Sequence, residues 1–210
     1  MLRVSHLRKL VKPASIPLPD PCQGPAVALV GTEVGAPVSG GLTVEVLTGT
    51  VTATGAGYDF TAGVLRVTTA AQCPVNSEMT FSISGIGPVP ALRVSIPGNT
   101  YELVGITKYG VNAAYKSKNS MYPYPYWALR YVPVPAPAGI PYELKCSIAD
   151  TWVGVWLNGK RVARAAVTPG YLATTSPWNV MVGRFYDEVY TGHVDSVRLA
   201  YGALPDIDVL

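Results

Sequence analysis

One short segment of the chain concentrates aromatic side chains, the residue type best suited here to binding chemistry. The aromatic residues are Tyr122, Tyr124, Tyr126, Trp127 and Tyr131. Prolines separate the first three tyrosines, and proline stiffens the backbone, so we expect the rings to be displayed on a rigid loop. Rigid tyrosines bind protein surfaces at low entropic cost, and they also stack on sugars. The remaining alternative is that the rings pack in the core or beneath the loop.

Residues for acid–base or nucleophilic catalysis are few and dispersed. Asp187 and Glu188 are adjacent acids, but their turn-like surroundings favour a solvated turn over the carboxylate pair that glycoside hydrolysis needs. His6 lies near the N-terminus and His193 at a strand start, and the sequence contains no Gly-x-Ser-x-Gly motif. The sequence therefore predicts a protein without enzymatic activity.

Metal ligands and cysteine pairs are also sparse. Calcium binding needs several carboxylates in one loop, whereas acids such as Asp59 and Asp150 are scattered. Cys22, Cys73 and Cys146 are far apart and form no Cys-x-x-Cys pair. The alternating residues around Cys146 predict a buried thiol. We therefore predict neither a metal nor another cofactor, and synthesis in a reducing compartment.

A basic tip begins the chain. Arg3, Arg8, Lys9 and Lys12 give the first 12 residues a charge of +4, whereas the other 12 basic and 13 acidic residues sum to −1. Because the rest is nearly neutral, we predict no broad nucleic-acid-binding face. The tip itself suits an acidic neighbouring surface or a contact with nucleic acid, or it is a solvated tail. No apolar run is long enough for a signal peptide core or a membrane-spanning helix.

Prolines extend this tip into a predicted arm over residues 1–39. They recur from Pro13 to Pro37, so the arm is expected to be extended and to lack a core of its own. Such a segment needs a surface to lie on. Either its own domain or a partner chain could provide that surface.

The remainder of the chain has the pattern of an all-β domain. Gly 21 and Pro 19 together make 40 of the 210 residues, which argues against long helices. Apolar and polar residues alternate over 79–84, 92–96, 142–148 and 152–157, as in half-buried antiparallel strands. Asn158-Gly159 predicts a hairpin with a type I′ turn, because both residue types tolerate positive φ. A β-sandwich or barrel is expected.

Three C-terminal motifs carry a resemblance to a known superfamily. They are Trp156-Leu-Asn-Gly-Lys160, Asn179-Val-Met-Val-Gly183 and Gly192-His-Val-Asp-Ser-Val-Arg-Leu199. Together they resemble a concanavalin A-like, laminin-G-like domain, which implies an antiparallel jelly-roll β-sandwich over residues 40–210. By alternation, Asp195 shares a face with Val197 and Leu199 and should point inward. The resemblance implies that Asp195 holds neighbouring loop backbone, and His193 could pair with it.

The fold does not by itself choose a function, because this superfamily includes lectins, hydrolases, adhesion modules and virus proteins. The arm, the resemblance and the missing catalytic groups together resemble accessory proteins of tailed-phage particles. We therefore expect a non-enzymatic virion component, made in the host cytoplasm, that decorates a head or joins a tail or baseplate. Its arm would bind capsid or tail subunits, and copies would form a homo-oligomer within a symmetric assembly.

The alternative function is a lectin-like module for host-surface glycans. In that case the loop rings stack on sugars, and replacing Tyr124 or Trp127 with alanine abolishes glycan retention without unfolding the domain.

Overall fold

The computed structural model shows an antiparallel, all-β protein, as the alternating sequence predicts. It describes residues 25–29, 43–68, 73–74, 79–95, 102–115, 126–149, 151–167, 175–176, 179–185, 188–201, 204 and 206. Within those ranges every regular element is a strand. The described part of the chain accordingly offers no helix with the length and apolar character needed to cross a membrane.

The strands follow closely on one another along the described ranges. The first eight are β1 (Pro25–Leu29), β2 (Thr43–Ala53), β3 (Tyr58–Thr68), β4 (Cys73–Pro74), β5 (Met79–Ile86), β6 (Leu92–Ser95), β7 (Glu102–Thr107) and β8 (Gly110–Tyr115). The next eight are β9 (Tyr126–Val132), β10 (Pro141–Ile148), β11 (Trp152–Leu157), β12 (Lys160–Ala166), β13 (Thr175–Ser176), β14 (Asn179–Val182), β15 (Arg184–Phe185) and β16 (Glu188–Tyr201).

Fourteen of these strands form one large antiparallel sheet. Its continuous path runs β12-β11-β10-β5-β16-β3-β14-β6-β7-β8-β9, with β1 and β15 paired to β16 and β2 paired to β3. β4 and β13 form a separate two-stranded ribbon. The end strands β12 and β9 contact each other, so the sheet curls until its ends meet. The inner faces of the curled sheet enclose the core.

β3 joins the two halves of the curled sheet. Its first half pairs with β16, and its second half pairs with β14. The β2–β3 hairpin bends between these halves, where Ala62 has a φ of 45° and Gly49 a φ of 64°. A Cβ on Gly49 would collide with the carbonyl oxygen of Ala62. Glycine is therefore required at this close approach, and the bend lets one hairpin serve both halves.

The core consists of the inward residues of the alternating strands. Its largest fully buried side chains include Tyr58, Leu65, Met79, Phe81, Ile83, Leu92, Ile106, Leu144 and Leu199. Cys146 lies among them, and burial raises the pKa of its thiol to about 12. The predicted buried thiol is confirmed, and at neutral pH it stays protonated and unreactive.

The predicted hairpin at Asn158-Gly159 is confirmed. The two residues connect β11 to β12 with φ values of 51° and 79°. The Asn158 side-chain oxygen also accepts a hydrogen bond from the Glu143 backbone N–H at 2.7 Å. The turn is thus joined to the neighbouring strand β10 as well as closing its own hairpin.

The inward orientation predicted for Asp195 is wrong. Against β5, Val194 pairs with Gly85 and Ser196 with Ser84, so Asp195 is an extra residue in a β-bulge. A bulge interrupts the alternation on which the prediction depended. The Asp195 side chain is 49% exposed. It points away from the core face that Val197 and Leu199 share.

Part of the predicted arm lies within the sheet. β1 pairs antiparallel with β16, from Pro25 opposite Ala200 to Leu29 opposite Val197. These residues are therefore held by the chain's own last strand. The basic residues Arg3, Arg8, Lys9 and Lys12 lie outside the described residues, as do the other positions of the arm.

The outer face of β11 is more covered than its alternating pattern predicts. Trp152 and Trp156 are both buried, with their rings in an edge-to-face pair 5.7 Å apart. Leu204 packs against these rings, and its backbone N–H donates to the Ser147 hydroxyl. Leu204 therefore adds to a small second apolar cluster on the outside of the sheet.

Candidate functional site

A groove opens at one end of the curled sheet. It has a volume of about 560 Å³ and lies between the β5–β6 loop, the β7–β8 turn, the segment after β9 and the start of β16. We call it the tyrosine groove. Its lining residues are Pro88, Val89, Ala91, Ile106, Thr107, Lys108, Tyr109, Gly110, Pro133, Val134, Pro135, Ala136, Val189 and Tyr190. The walls are mainly apolar and contain three prolines, as in many small-molecule sites.

Tyr109 stands on the β7–β8 turn with its ring in solvent. Its side chain is 65% exposed. The turn is held by Thr107, whose hydroxyl accepts from the Tyr109 N–H at 3.0 Å and donates to the Gly110 carbonyl at 3.3 Å. Gly110 has a φ of 131°, and a Cβ there would collide with the Val132 carbonyl. The turn is therefore fixed against β9, and Tyr109 projects from a rigid base.

Tyr131 reaches the same surface through a β-bulge. In β9, Arg130 and Tyr131 lie opposite the single residue Asn112 of β8, because Val111 pairs with Val132 and Ala113 with Leu129. Tyr131 has a positive φ of 53° and is 47% exposed. Its backbone N–H donates to the Asn112 side-chain oxygen at 2.8 Å. A strained conformation of this kind persists only where the surroundings enforce it, and buried Asn112 provides the constraint.

The two tyrosines form a pair with a cation beside each ring. Their ring centroids are 6.1 Å apart in an edge-to-face arrangement. The Lys108 ammonium lies 5.2 Å from the Tyr109 ring centre, and the Arg130 guanidinium lies 5.0 Å from that of Tyr131. Both contacts fall within the range of cation–π attraction. The surface beside the groove is thus both aromatic and positively charged.

Backbone hydrogen bonds join the loops that line the groove. The Gly87 N–H donates to the Ile140 carbonyl at 2.8 Å, which ties the β5–β6 loop to the segment after β9. The Gly183 N–H donates to the Ala91 carbonyl at 2.8 Å, and the Tyr190 N–H donates to the Gly183 carbonyl at 3.0 Å. Because these loops are tied to one another, the groove exists before any ligand arrives.

Tyr190 forms part of the groove floor and connects it to the core. Its ring packs edge-to-face on Phe60 at 5.6 Å, and its hydroxyl donates to the His193 carbonyl at 3.2 Å. Burial raises the pKa of Tyr190 to about 12. The hydroxyl therefore stays neutral at physiological pH and acts as a fixed hydrogen-bond donor.

A second polar cluster lies beyond Tyr190, on the outer surface of β3 and β16. His193 Nδ1 lies 2.6 Å from Asp59 Oδ1, and its Nε2 lies 3.1 Å from Asp195 Oδ1. The predicted pairing of His193 with Asp195 is confirmed. The hydrogen bond that His193 donates to Asp59 raises the pKa of His193, burial partly offsets that rise, and the charges of both carboxylates add to it. Each ring nitrogen would have to leave a carboxylate before it could transfer a proton elsewhere.

The described part of the chain contains no group of three or more His, Cys, Asp or Glu side chains that could hold a metal ion. The absence of a cofactor and of enzymatic activity both stay predictions from the sequence.

The five aromatic residues predicted to form a binding segment do not stay together in the structure's description. Tyr122 and Tyr124 lie outside the described residues. Tyr126 and Trp127 begin β9, where their backbones pair with Tyr115 and Ala114. Tyr131 lies on the surface beside the groove.

Tyr109 was missed from the sequence, although a signal was present. Lys108-Tyr109 precedes Gly110 between two β-rich runs, and glycine in that setting marks a tight turn that displays its neighbours. The sequence alone does not show that this turn meets β9.

Three solved structures share this type of β-rich fold at low sequence identity. Domain 4 of the extracellular arabinanase AbnA from Geobacillus stearothermophilus, solved with arabinotriose, aligns at a TM-score of 0.51 and 14% identity, over 78% of this chain and 83% of that one. The Trypanosoma rangeli sialidase aligns at 0.52 and 16%, over 86% and 30% of the two chains. The receptor-binding domain of botulinum neurotoxin mosaic serotype C/D aligns at 0.57 and 10%, over 89% and 49%.

These similarities are at the level of fold, since every identity is 16% or lower. The chain spans less than a third of the sialidase and about half of the neurotoxin domain. No family model matches the sequence, and no curated protein matches it.

Proposed function

We propose that the protein is a carbohydrate-binding module that holds an oligosaccharide in the tyrosine groove. The observation that carries this proposal is the exposed Tyr109–Tyr131 pair, which a rigid turn and a strained bulge hold beside a preformed groove. Sugars present apolar C–H faces as well as hydroxyls, and flat aromatic rings complement those faces.

The preformed geometry favours binding because little order must be gained when a ligand arrives. Tyrosine has few rotatable bonds, and its hydroxyl can also bind to a sugar hydroxyl. The groove volume of about 560 Å³ falls in the range of small-ligand sites. One or two sugar units are a suitable occupant for a space of this size.

The comparisons support the proposal through fold. Domain 4 of the arabinanase has a similar fold and was solved with arabinotriose bound. Fold alone does not transfer a ligand, so the proposal depends on the tyrosines and the groove of this chain. A concanavalin A-like jelly-roll topology is part of the same proposal.

The experiment is an affinity measurement on the full chain after a screen of neutral and acidic oligosaccharides. Tyr109→Ala is expected to weaken binding of the best ligand by about tenfold or more, as for a central aromatic contact. Tyr109→Phe retains the ring and should bind within about threefold of the parent. Tyr109 is largely exposed, so both variants should keep the parent's thermal stability.

Val162→Ala is the matched control, because Val162 is an exposed apolar residue of β12 that does not line the groove. Its affinity should equal that of the parent. Unchanged affinity in Tyr109→Ala, or no binding of any oligosaccharide in the screen, would contradict the proposed function.

The virion role predicted from the arm stays a second proposal. The pairing of β1 with β16 holds residues 25–29 on the chain's own sheet. The basic tip lies outside the described residues. A virion appendage that also binds glycans would be compatible with both proposals.

A further inference from the structure

We infer that the oligosaccharide bound in the tyrosine groove is acidic, with a carboxylate or sulfate group placed against Arg130 and Lys108. The inference rests on the proposed function and specifies its ligand. It is carried by the charge of the groove, by the position of Arg130, and by where the acidic side chains of the protein lie.

The charged side chains described at the groove and at its edge are basic. Lys108 is the charged residue of the described lining, and Arg130 lies on the exposed bulge next to Tyr131, whose ring contacts that of Tyr109. The domain outside the basic tip has a side-chain charge of only −1, from 12 basic and 13 acidic residues. The positive surface is therefore a local feature of the groove.

Five acidic residues have described ion pairs, and their basic partners all lie outside the groove lining. The pairs are Glu45 with Arg66, Glu143 with Lys145, Asp206 with Arg161 and Arg164, and Asp59 and Asp195 with His193. Arg130 instead contacts the Tyr131 ring. An acidic group on the ligand would give Arg130 an anionic partner, as the basic residues named above have within the protein.

Contact with Tyr131 prepares Arg130 for this role. The guanidinium carbon lies 5.0 Å from the centre of the Tyr131 ring, within the range of cation–π attraction, so the ring restrains the guanidinium at the exposed surface. One terminal nitrogen lies 3.4 Å from the Tyr131 hydroxyl, which further restricts its rotation. A planar carboxylate, or two oxygens of a tetrahedral sulfate group, can accept two parallel hydrogen bonds from a guanidinium. The adjacent Tyr131 and Tyr109 rings would contact the sugar that bears the acid.

The test compares acidic oligosaccharides with neutral counterparts on the full chain. The probes are trigalacturonate with its methyl ester, 3′-sialyllactose with lactose, and a sulfated heparin tetrasaccharide with its desulfated form. In at least one pair the acidic member should bind about tenfold more tightly at low salt, as for a charge-assisted hydrogen bond. This preference should shrink in 0.5 M sodium chloride, because salt screens exposed charges.

Charge-removing variants locate the effect. Arg130→Gln is expected to lower affinity for the preferred acidic probe by about tenfold while changing affinity for its neutral partner by less than about twofold. Lys108→Gln should have a smaller effect in the same direction. Lys160→Gln removes the same charge from the β11–β12 hairpin, outside the groove lining, and should bind like the parent.

The outcomes separate this inference from the proposed function. Neutral probes that bind as tightly as acidic ones, with a loss in Tyr109→Ala, would overturn the acidic ligand and leave glycan binding in place. Equal affinities of Arg130→Gln and the parent for an acidic probe would also overturn the inference. If Tyr109→Ala binds as the parent does, the proposed function itself fails.

Discussion

The bulge in β9 and the bulge in β16 interrupt their strands in the same way but produce different surfaces. In β9 the bulge exposes Tyr131, whose ring meets only aromatic and cationic neighbours among the described contacts. In β16 it turns Asp195 outward, where the carboxylate meets His193. His193 is in turn bound to Asp59. The bulge in β9 displays an aromatic surface. The bulge in β16 completes a surface cluster whose charged groups pair with one another.

This difference distinguishes a surface suited to ligands from one suited to stability. The Asp59–His193–Asp195 cluster satisfies both imidazole nitrogens within the protein, so a ligand would have to displace an existing bond. Beside the groove, the strained backbone of Tyr131 is held by Asn112 while its ring stays at the surface. Strain that leaves an aromatic ring exposed favours a role in binding.

The largest expected effect comes from breaking the polar cluster at Gly57. Gly57 has a φ of 146°, and a Cβ there would lie 2.5 Å from the Val194 carbonyl and 2.7 Å from His193 Nε2. Gly57→Ala should therefore lower the free energy of unfolding by roughly 3–5 kcal/mol, as strain and overpacking combine. Urea denaturation measures this loss.

Gly55→Ala provides the control within the same turn. Gly55 also has a positive φ, of 80°, but a Cβ there would meet no atom within 4 Å. The cost should be backbone strain alone, about 1 kcal/mol. Equal losses in the two variants would show that crowding at His193 contributes nothing.

The next effect concerns the polar contact that holds the other bulge. Asn112→Ala removes the acceptor of the Tyr131 N–H, a part-buried hydrogen bond of 2.8 Å. Stability should fall by about 1–2 kcal/mol, because the N–H loses its partner and the strained backbone of Tyr131 loses the buried side chain that holds it. Affinity for the best oligosaccharide should fall with it, since Tyr131 loses its fixed position.

Ser84→Ala is the comparison for Asn112→Ala at the other bulge. It removes a hydrogen bond of 2.8 Å to the Ser196 hydroxyl. Denaturation should show a loss of about 1 kcal/mol or less, with glycan affinity unchanged. If Asn112→Ala retained full affinity, the bulge would not position the ring for binding.

The extent to which sequence predicts this molecule follows from how local each feature is. Alternation and Asn158-Gly159 predict antiparallel strands and a hairpin, because both depend on near neighbours in the chain. The orientation predicted for Asp195 is wrong because one inserted residue shifts the alternation, and nothing in the sequence of its own strand marks the insertion. The groove is equally hidden, since Tyr109 and Tyr131 meet only after β8 pairs with β9.

The smallest expected effect is the pH dependence of the Asp59–His193–Asp195 cluster. Because the pKa of folded His193 lies above its ordinary value, the cluster stabilises the fold fully below about pH 6.5. That contribution is lost as pH rises through the folded pKa. The two carboxylates of the cluster are largely exposed, so the loss should be about 0.5 kcal/mol. From pH 6 to 9, the urea midpoint should fall more in the parent than in His193→Gln. A parallel pH dependence of the two midpoints would contradict this account. The His193→Gln variant should bind glycans as tightly as the parent over the same pH range, because the cluster and the tyrosine groove are separate surfaces.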